Sequence, residues 1–224
     1  MDALAAVLAP LAAAGLDIAH AFDARAVSRE PGLAALADPD RPLGILIGNT
    51  RALWPRFLAA RAADPALRDA LDPIELYVER AIDTAVAALP GARTYYAHRR
   101  YAGAYLPFQR AAAAAGLGTL TPAHLVIHPT YGPWLALRAI VVAPGTPPPR
   151  APLVDLPGAH DAATAAAYAA ALAASGPDAW RAWLAVRDAC PIGRAHRYPD
   201  AQIRYHYTKD RGEISPGDGD PALR

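Results

Sequence analysis

The chain has 224 residues, with 22 lysines and arginines against 21 acidic residues and a formal net charge of +1. That length suffices for one well-cored domain, and the even charge balance offers no surface to nucleic acid or to an anionic membrane. A single cysteine excludes an intrachain disulfide and a cysteine-rich metal site. No apolar run approaches the roughly 18 residues of a membrane span, and the acidic start lacks the basic opening of a secretory signal, so a cytoplasmic location is expected.

In chain order, residues 2–14 read as an alanine-rich helix stopped by Gly15, and Leu16-Asp17-Ile18 opens a short strand. Leu43 to Gly48 is a continuous apolar run, the pattern of a strand covered on both faces. Asn49-Thr50 then offers an N-cap to a helix reaching about residue 62. The glycine pattern there is too sparse for a phosphate loop, so an ordinary strand-to-helix turn is expected. Asp72, Pro73 and Glu75 read as an N-cap, a first-turn proline and a capping-box acid. Ile74, Val78, Ile82, Val86 and Leu89 form one helical stripe behind them. A strand is expected over 93–97, a helix interrupted at Pro107 over 101–115, and an extended proline-rich connection over 144–157. Helices over 161–174 and 177–189 follow. With no repeat and no linker, the order favours a single α/β or α+β domain with a mixed central sheet.

The chain is organised around His128-Pro129-Thr130-Tyr131-Gly132-Pro133-Trp134, a turn between the apolar runs 125–127 and 134–142. In a strand over 134–142, alternation puts Trp134, Ala136 and Arg138 on one face. An arginine in an apolar strand needs an anionic or carbonyl partner, either one of the chain's own carboxylates or a ligand. In the late helix, Trp180, Trp183 and Arg187 fall on one face, an arrangement shared by ordinary core packing and by a ligand-covering surface.

Ala114-Ala115-Gly116-Leu117-Gly118, followed by Leu125-Val126-Ile127-His128-Pro129-Thr130-Tyr131-Gly132-Pro133-Trp134, resembles the signature shared by epoxyqueuosine reductases and cobalamin-processing (CblC-type) proteins. Both bind cobalamin on a scaffold related to flavin nitroreductases. The reductases carry iron–sulfur clusters on the spacing C-x-x-C-x-x-C-x-x-x-C-P. Here Trp180, Trp183, Val186 and Cys190-Pro191 keep that spacing with only the last cysteine, and one thiolate holds no cluster. Arg204 likewise stands where the reductases' D-A-x-x-C-I-S-Y segment has its cysteine. Tyr101-Ala102-Gly103-Ala104 also lacks their protonating acid. Trp180-Arg181-Ala182-Trp183 and Arg187-Asp188-Ala189 are instead similar to the W-R-x-W and R-D-A elements of CblC-type proteins, and Arg197 to Tyr205 to their R-Y-x-x-x-Q-x-x-Y. Two departures stand out. Residues 111–115 lack the histidine of the animal proteins, and the hairpin before His128 is cut down to Thr119 through His124.

The resemblance implies one flavin nitroreductase-like α/β domain over residues 1–224, with a proline-rich connection at 144–160 and a flexible tail at 216–224. It implies cobalamin captured with its lower nucleotide base detached and its upper alkyl or cyano ligand removed by a thiol or by reduction, the work of a dealkylase or reductase. Arg138 and Arg187 match the arginines that receive the carboxylates of glutathione in that family, so glutathione or another small thiol is the expected second partner. The expected cobalamin-binding residues are Gly116, Leu117, Gly118, His128, Pro129, Tyr131, Gly132, Pro133, Trp134, Trp180, Trp183, Tyr198 and Tyr205. The ring is expected between the 129–133 bend and the indole face of the late helix. His128 is a candidate cobalt ligand, set against the loop-holding role that His-Pro plays before a turn. The alternatives on this scaffold are a diverged enzyme using FMN or cobalamin, and a carrier handing cobalamin to an acceptor protein. A monomer or a homodimer serves any of these.

Overall fold

The computed structural model describes residues 3–214; the tail expected at 216–224 lies outside them. The chain runs α1 (Ala3–Ala13), β1 (Ile18–Asp23), α2 (Ala24–Val27), β2 (Leu43–Asn49), α3 (Leu53–Ala63), α4 (Pro65–Asp69) and α5 (Pro73–Val86). It continues with β3 (Arg93–Tyr96), β4 (Arg100–Tyr101), β5 (Ala104–Tyr105), α6 (Phe108–Ala114), β6 (Thr119–Leu120), β7 (Val126–Ile127) and β8 (Ala136–Ala143). The helices α7 (Ala162–Ala173), α8 (Ala179–Ala189) and α9 (Asp200–Thr208) complete it. Among the described residues, no helix is long and apolar enough to cross a membrane.

The central sheet has the order β1-β2-β8-β3. Each of its pairings is antiparallel, where a mixed sheet was expected. Every residue of β2 is buried, because the strand is covered on both faces. Ile45 and Ile47 face a cluster built with Val7, Leu11, Phe57, Ile74, Val78 and Ile82, while Leu46 faces Phe108, Ala111 and Leu117. An antiparallel pair leaves one face to water only where no helix covers it, and here helices cover both. The stripe expected on α5 forms as read, with Ile74, Val78 and Ile82 buried and Val86 packed beside them.

Pairing between β2 and β8 slips at one position. Ile47 pairs with Ala139, but Gly48 pairs with Leu137. Arg138 is therefore the extra residue of a β-bulge, the device by which a strand re-aims a side chain. A Cβ on Gly48 would sit 2.7 Å from the Ala136 carbonyl oxygen, so the backbone approach beside the bulge calls for glycine.

Several local signals resolve differently from their sequence pattern. The helix after β2 begins at Leu53 with Ala52 at its cap position, and Asn49 and Thr50 do not cap it. Thr50 instead donates from its amide and its hydroxyl to the Asp17 carboxylate, at 2.7 and 2.5 Å. Pro73 takes the first turn of α5 as expected, but Asp72 makes no side-chain cap, and Glu75 is drawn away by Arg138. The helix expected from 101 starts only at Phe108. Ala102 and Gly103 both have positive φ and turn a β4–β5 hairpin. Residues 144–161 carry no helix or strand.

Candidate functional site

The segment entering β8 is fixed by a bend. His128 and Gly132 exchange both backbone hydrogen bonds, at 3.0 and 2.8 Å. The His128 Nδ1 accepts the amides of Thr130 and Tyr131 at 3.0 and 3.3 Å. Burial, followed by the nearby His20 and His196, holds the His128 pKa below its ordinary value, so the ring keeps the unprotonated Nδ1 that this bonding requires. The bend is pressed against the segment after α8. A Cβ on Gly132 would overlap the Ile192 carbonyl oxygen, and one on Gly193 would overlap the Tyr131 carbonyl. Arg187 of α8 closes the contact, donating from Nη1 to the Pro133 carbonyl oxygen at 2.7 Å.

Beyond the bend, a cavity of about 330 Å³ opens along the start of β8. Trp134, Leu135, Ala136, Leu137 and Arg138 line one side; Gln109 of α6, Arg187 of α8, and Tyr198, Ile203, His206 and Tyr207 from α9 and its approach line the rest. Two guanidiniums and no carboxylate are in this lining. The Arg138 side chain is 8% exposed. Its Nε donates to Asn49 Oδ1 at 2.7 Å, and its Nη1 lies 3.2 Å from Glu75 Oε1. Its Nη2 is buried and has no partner. An unpaired buried donor is costly, and for a charged group more so, which marks Nη2 as a place for a ligand acceptor.

Two further polar groups of the cavity, His206 and Tyr198, are neutral at physiological pH. Burial, and then the charges of Arg138, Lys209 and Arg187, press the His206 pKa down to about 3. Burial pushes the Tyr198 phenol up to about 12. The site thus combines an anion-seeking pair of arginines with an aromatic and imidazole wall that carries no charge of its own. Among the described residues, no group of three or more His, Cys, Asp or Glu side chains is placed to hold a metal ion.

The sequence matches no protein-family model and no curated protein. Among solved structures, it is similar to the crystal structure of the B12-trafficking protein CblC from C. elegans, a human MMACHC homologue. The two superpose with a TM-score of 0.69 over 95% of this chain and 93% of that one, at 16% sequence identity. The chain has the CblC fold. Its antiparallel sheet flanked by helices is the nitroreductase-like α/β class implied by the motifs around His128.

Within the CblC fold, Trp134, Arg138, Arg187 and Tyr198 come together at the cavity. The other expected positions lie elsewhere. His128 and Tyr131 pack in a tilted pair with centroids 4.7 Å apart, and Tyr131 meets His196 edge-on at 4.9 Å. Pro129 is exposed at the outer tip of the bend, and Gly132 and Pro133 are packed into it. Bend and connector approach closely at Gly132 and Gly193, and the cavity opens along Trp134 to Arg138. Gly116 ends the α6 turn with positive φ, Leu117 is core, and Gly118 abuts the Ile127 carbonyl. Tyr205 packs on Trp54 and Phe57 in the core.

The two indoles of α8 part company. Trp180 joins Trp134, Tyr198 and Ile203 and stacks on Tyr207 at 5.6 Å, backing the cavity wall. Trp183 is 37% exposed and leans on Tyr168 of α7. Residues three apart on a helix are offset around its axis, and here α7 and α9 divide them. Sequence reading missed Asn49, Glu75, Gln109, Ile203, His206 and Tyr207. The i, i+3, i+4 spacing of Ile203, His206 and Tyr207 is the signal that would have put the last three on one face of α9. Nothing local marks Asn49 or Glu75, whose partner lies 89 or 63 residues away.

Proposed function

We propose that this chain binds cobalamin with its lower base detached and serves removal of the upper alkyl or cyano ligand, using a small carboxylate-bearing thiol or a reductant. The observation that carries the reading is the convergence of Arg138, with its unpartnered buried Nη2, and Arg187 on one neutral-walled cavity. The similarity in fold to a B12-trafficking protein supports it.

The residues present fit such a pair of ligands. A cavity of about 330 Å³ admits a thiol of tripeptide size and is smaller than a whole cobalamin, so the macrocycle belongs over its mouth. When bound, the cobalt–carbon bond supplies the chemistry: the thiolate sulfur takes the alkyl group and the bonding electron pair stays with the metal. The chain's own residues bind and orient. Arg138 Nη2 and the remaining donors of Arg187 offer two anchor points for carboxylate, on a strand bulge and on a helix, so the thiol's charged groups are fixed at separate places. Tyr198, Trp134 and Ile203 exclude water from one side, which strengthens those charge contacts. His206 stays uncharged and adds no competing cation.

The deciding experiment is the absorption spectrum of the purified protein with and without methylcobalamin at tens of micromolar. A shift to the base-off form is expected, followed by loss of the methyl-cobalt bands when glutathione is added. Unchanged spectra of alkyl- and aquo-cobalamin end the proposal. A base-off shift without thiol-dependent loss of the methyl group would make the chain a carrier for cobalamin, and a yellow protein indifferent to cobalamin would make it a flavin enzyme.

A further inference from the structure

Arg138 is held by side chains from two elements, Asn49 of β2 and Glu75 of α5, and each fixes a different nitrogen. Asn49 Oδ1 takes the Nε proton at 2.7 Å. The Asn49 amide is itself locked, because its Nδ2 donates to the Thr50 carbonyl at 2.7 Å, so the oxygen has to face the guanidinium. Glu75 takes the Nη1 protons, with its two oxygens at 3.2 and 3.4 Å. Glu75 is held from behind: its Oε2 lies 3.3 Å from His98 Nδ1, and His98 Nε2 lies 2.7 Å from Glu79 Oε1. Glu79 in turn pairs with Arg99 at 2.7 Å. A chain of polar contacts thus runs from the cavity wall to the protein surface, through α5 and the segment after β3. Only Nη2 is left over, buried and unpartnered.

We propose that Glu75 is the positioning residue of this site: it holds the Arg138 guanidinium in one plane, so that the Nη2 protons stay aimed at the ligand. Asn49 alone does not do this. A single hydrogen bond at Nε leaves the terminal nitrogens free to exchange places by rotation about Nε–Cζ, whereas a carboxylate on Nη1 makes them inequivalent. The bulge at Arg138 explains why α5 is the element within reach, since it turns this side chain toward the helix that carries Glu75. The assignment rests on the proposed function for its kinetic consequence but not for its structural one. The test reads both.

The structural readout is the guanidinium ¹⁵N spectrum of Arg138, identified by its absence in Arg138→Lys. Two separate Nη signals are expected in the unmodified protein and one averaged signal in Glu75→Ala. Glu75→Gln keeps the shape and one acceptor but gives up the charge; it stands in if the alanine variant does not fold, and exchange-broadened Nη signals are expected from it. Two sharp, separate signals in either variant overturn the proposal, whatever the kinetics. The kinetic readout is demethylation of methylcobalamin with glutathione as the thiol. Glu75→Ala is expected to raise KM for glutathione about tenfold with kcat within about twofold, the pattern of lost ground-state anchoring, while the base-off spectrum is unchanged. If the unmodified protein shows no cobalamin spectrum at all, the functional reading fails and the ¹⁵N spectra alone decide the role of Glu75.

Discussion

Arg187 and Pro133 are 54 residues apart in sequence and joined by a 2.7 Å hydrogen bond from guanidinium to carbonyl. This contact ties α8 to the bend that leads into β8. It gives Arg187 a structural duty besides its place in the cavity lining. The two acids nearest Arg187 along this helix are engaged by other arginines: Asp188 holds Arg197 and Asp178 holds Arg181. Arg187→Ala leaves the buried Pro133 carbonyl without its donor and is expected to cost about 1–3 kcal/mol in urea unfolding. It should also raise KM for glutathione in the demethylation assay. A stability within error of the unmodified protein would show that the bend holds without this tie.

Close backbone approach makes glycine obligatory at two places on the same joint. A side chain at Gly132 would collide with the Ile192 carbonyl, and one at Gly193, where φ is +76°, would collide with Tyr131. Gly132→Ala and Gly193→Ala are each expected to cost several kcal/mol, beyond the roughly 1 kcal/mol of an ordinary glycine replacement. Thermal melting is the check. Gly103, which has positive φ but nothing within 4 Å, is the control, and Gly103→Ala should cost only the conformational strain.

The half-buried His206 sets a pH dependence with a definite sign. Its folded pKa is about 3, below the usual 6.5 of an unfolded chain. Between these values the unfolded state binds a proton that the folded state does not, so stability falls as pH falls. One such group gives a slope of about 1.4 kcal/mol per pH unit. His128, also held low by burial, acts in the same direction. Urea midpoints between pH 6.5 and 5 should drop in the unmodified protein, and the slope should lessen in His206→Gln. An identical slope in that variant would assign the effect elsewhere.

Cys190 is 1% exposed and packed with Ile127 and Ala159. Burial pushes its thiol pKa up, which disfavours the thiolate needed for attack. Iodoacetamide should therefore label the native protein little at pH 7.5 and fully after denaturation, as read by intact mass. Rapid native labelling would contradict this packing.

Trp180 and Trp183 should separate sharply. Trp183→Ala removes a half-exposed ring resting on Tyr168 and should change stability by less than about 1 kcal/mol, with the cobalamin spectrum unaltered. Trp180→Ala undermines Trp134 and Tyr198 and should cost about 2–3 kcal/mol, somewhat under the range for a fully buried tryptophan. Equal effects of the two would argue that the indoles act as one surface after all.

Much of this architecture is legible in the residues. The unbroken apolar run of β2, the stripe on α5 and the arginine set into an apolar strand each follow from local composition and period, because burial of one face or two imposes its own spacing. Arg138, Arg187, Tyr198 and Trp134 were identifiable through motifs, and all four meet at the cavity. What the sequence did not carry was decided by contacts between distant segments. The bulge that turns Arg138 toward α5 is a property of how β2 and β8 pair, not of either strand. Glu75 reads locally as a capping acid and is claimed instead by a charge 63 residues away, since an ion pair at a nearly buried guanidinium outweighs one exposed cap. His206 became a neutral wall only through its burial beside two arginines, and the bend became filled structure only because another backbone lies against its glycine.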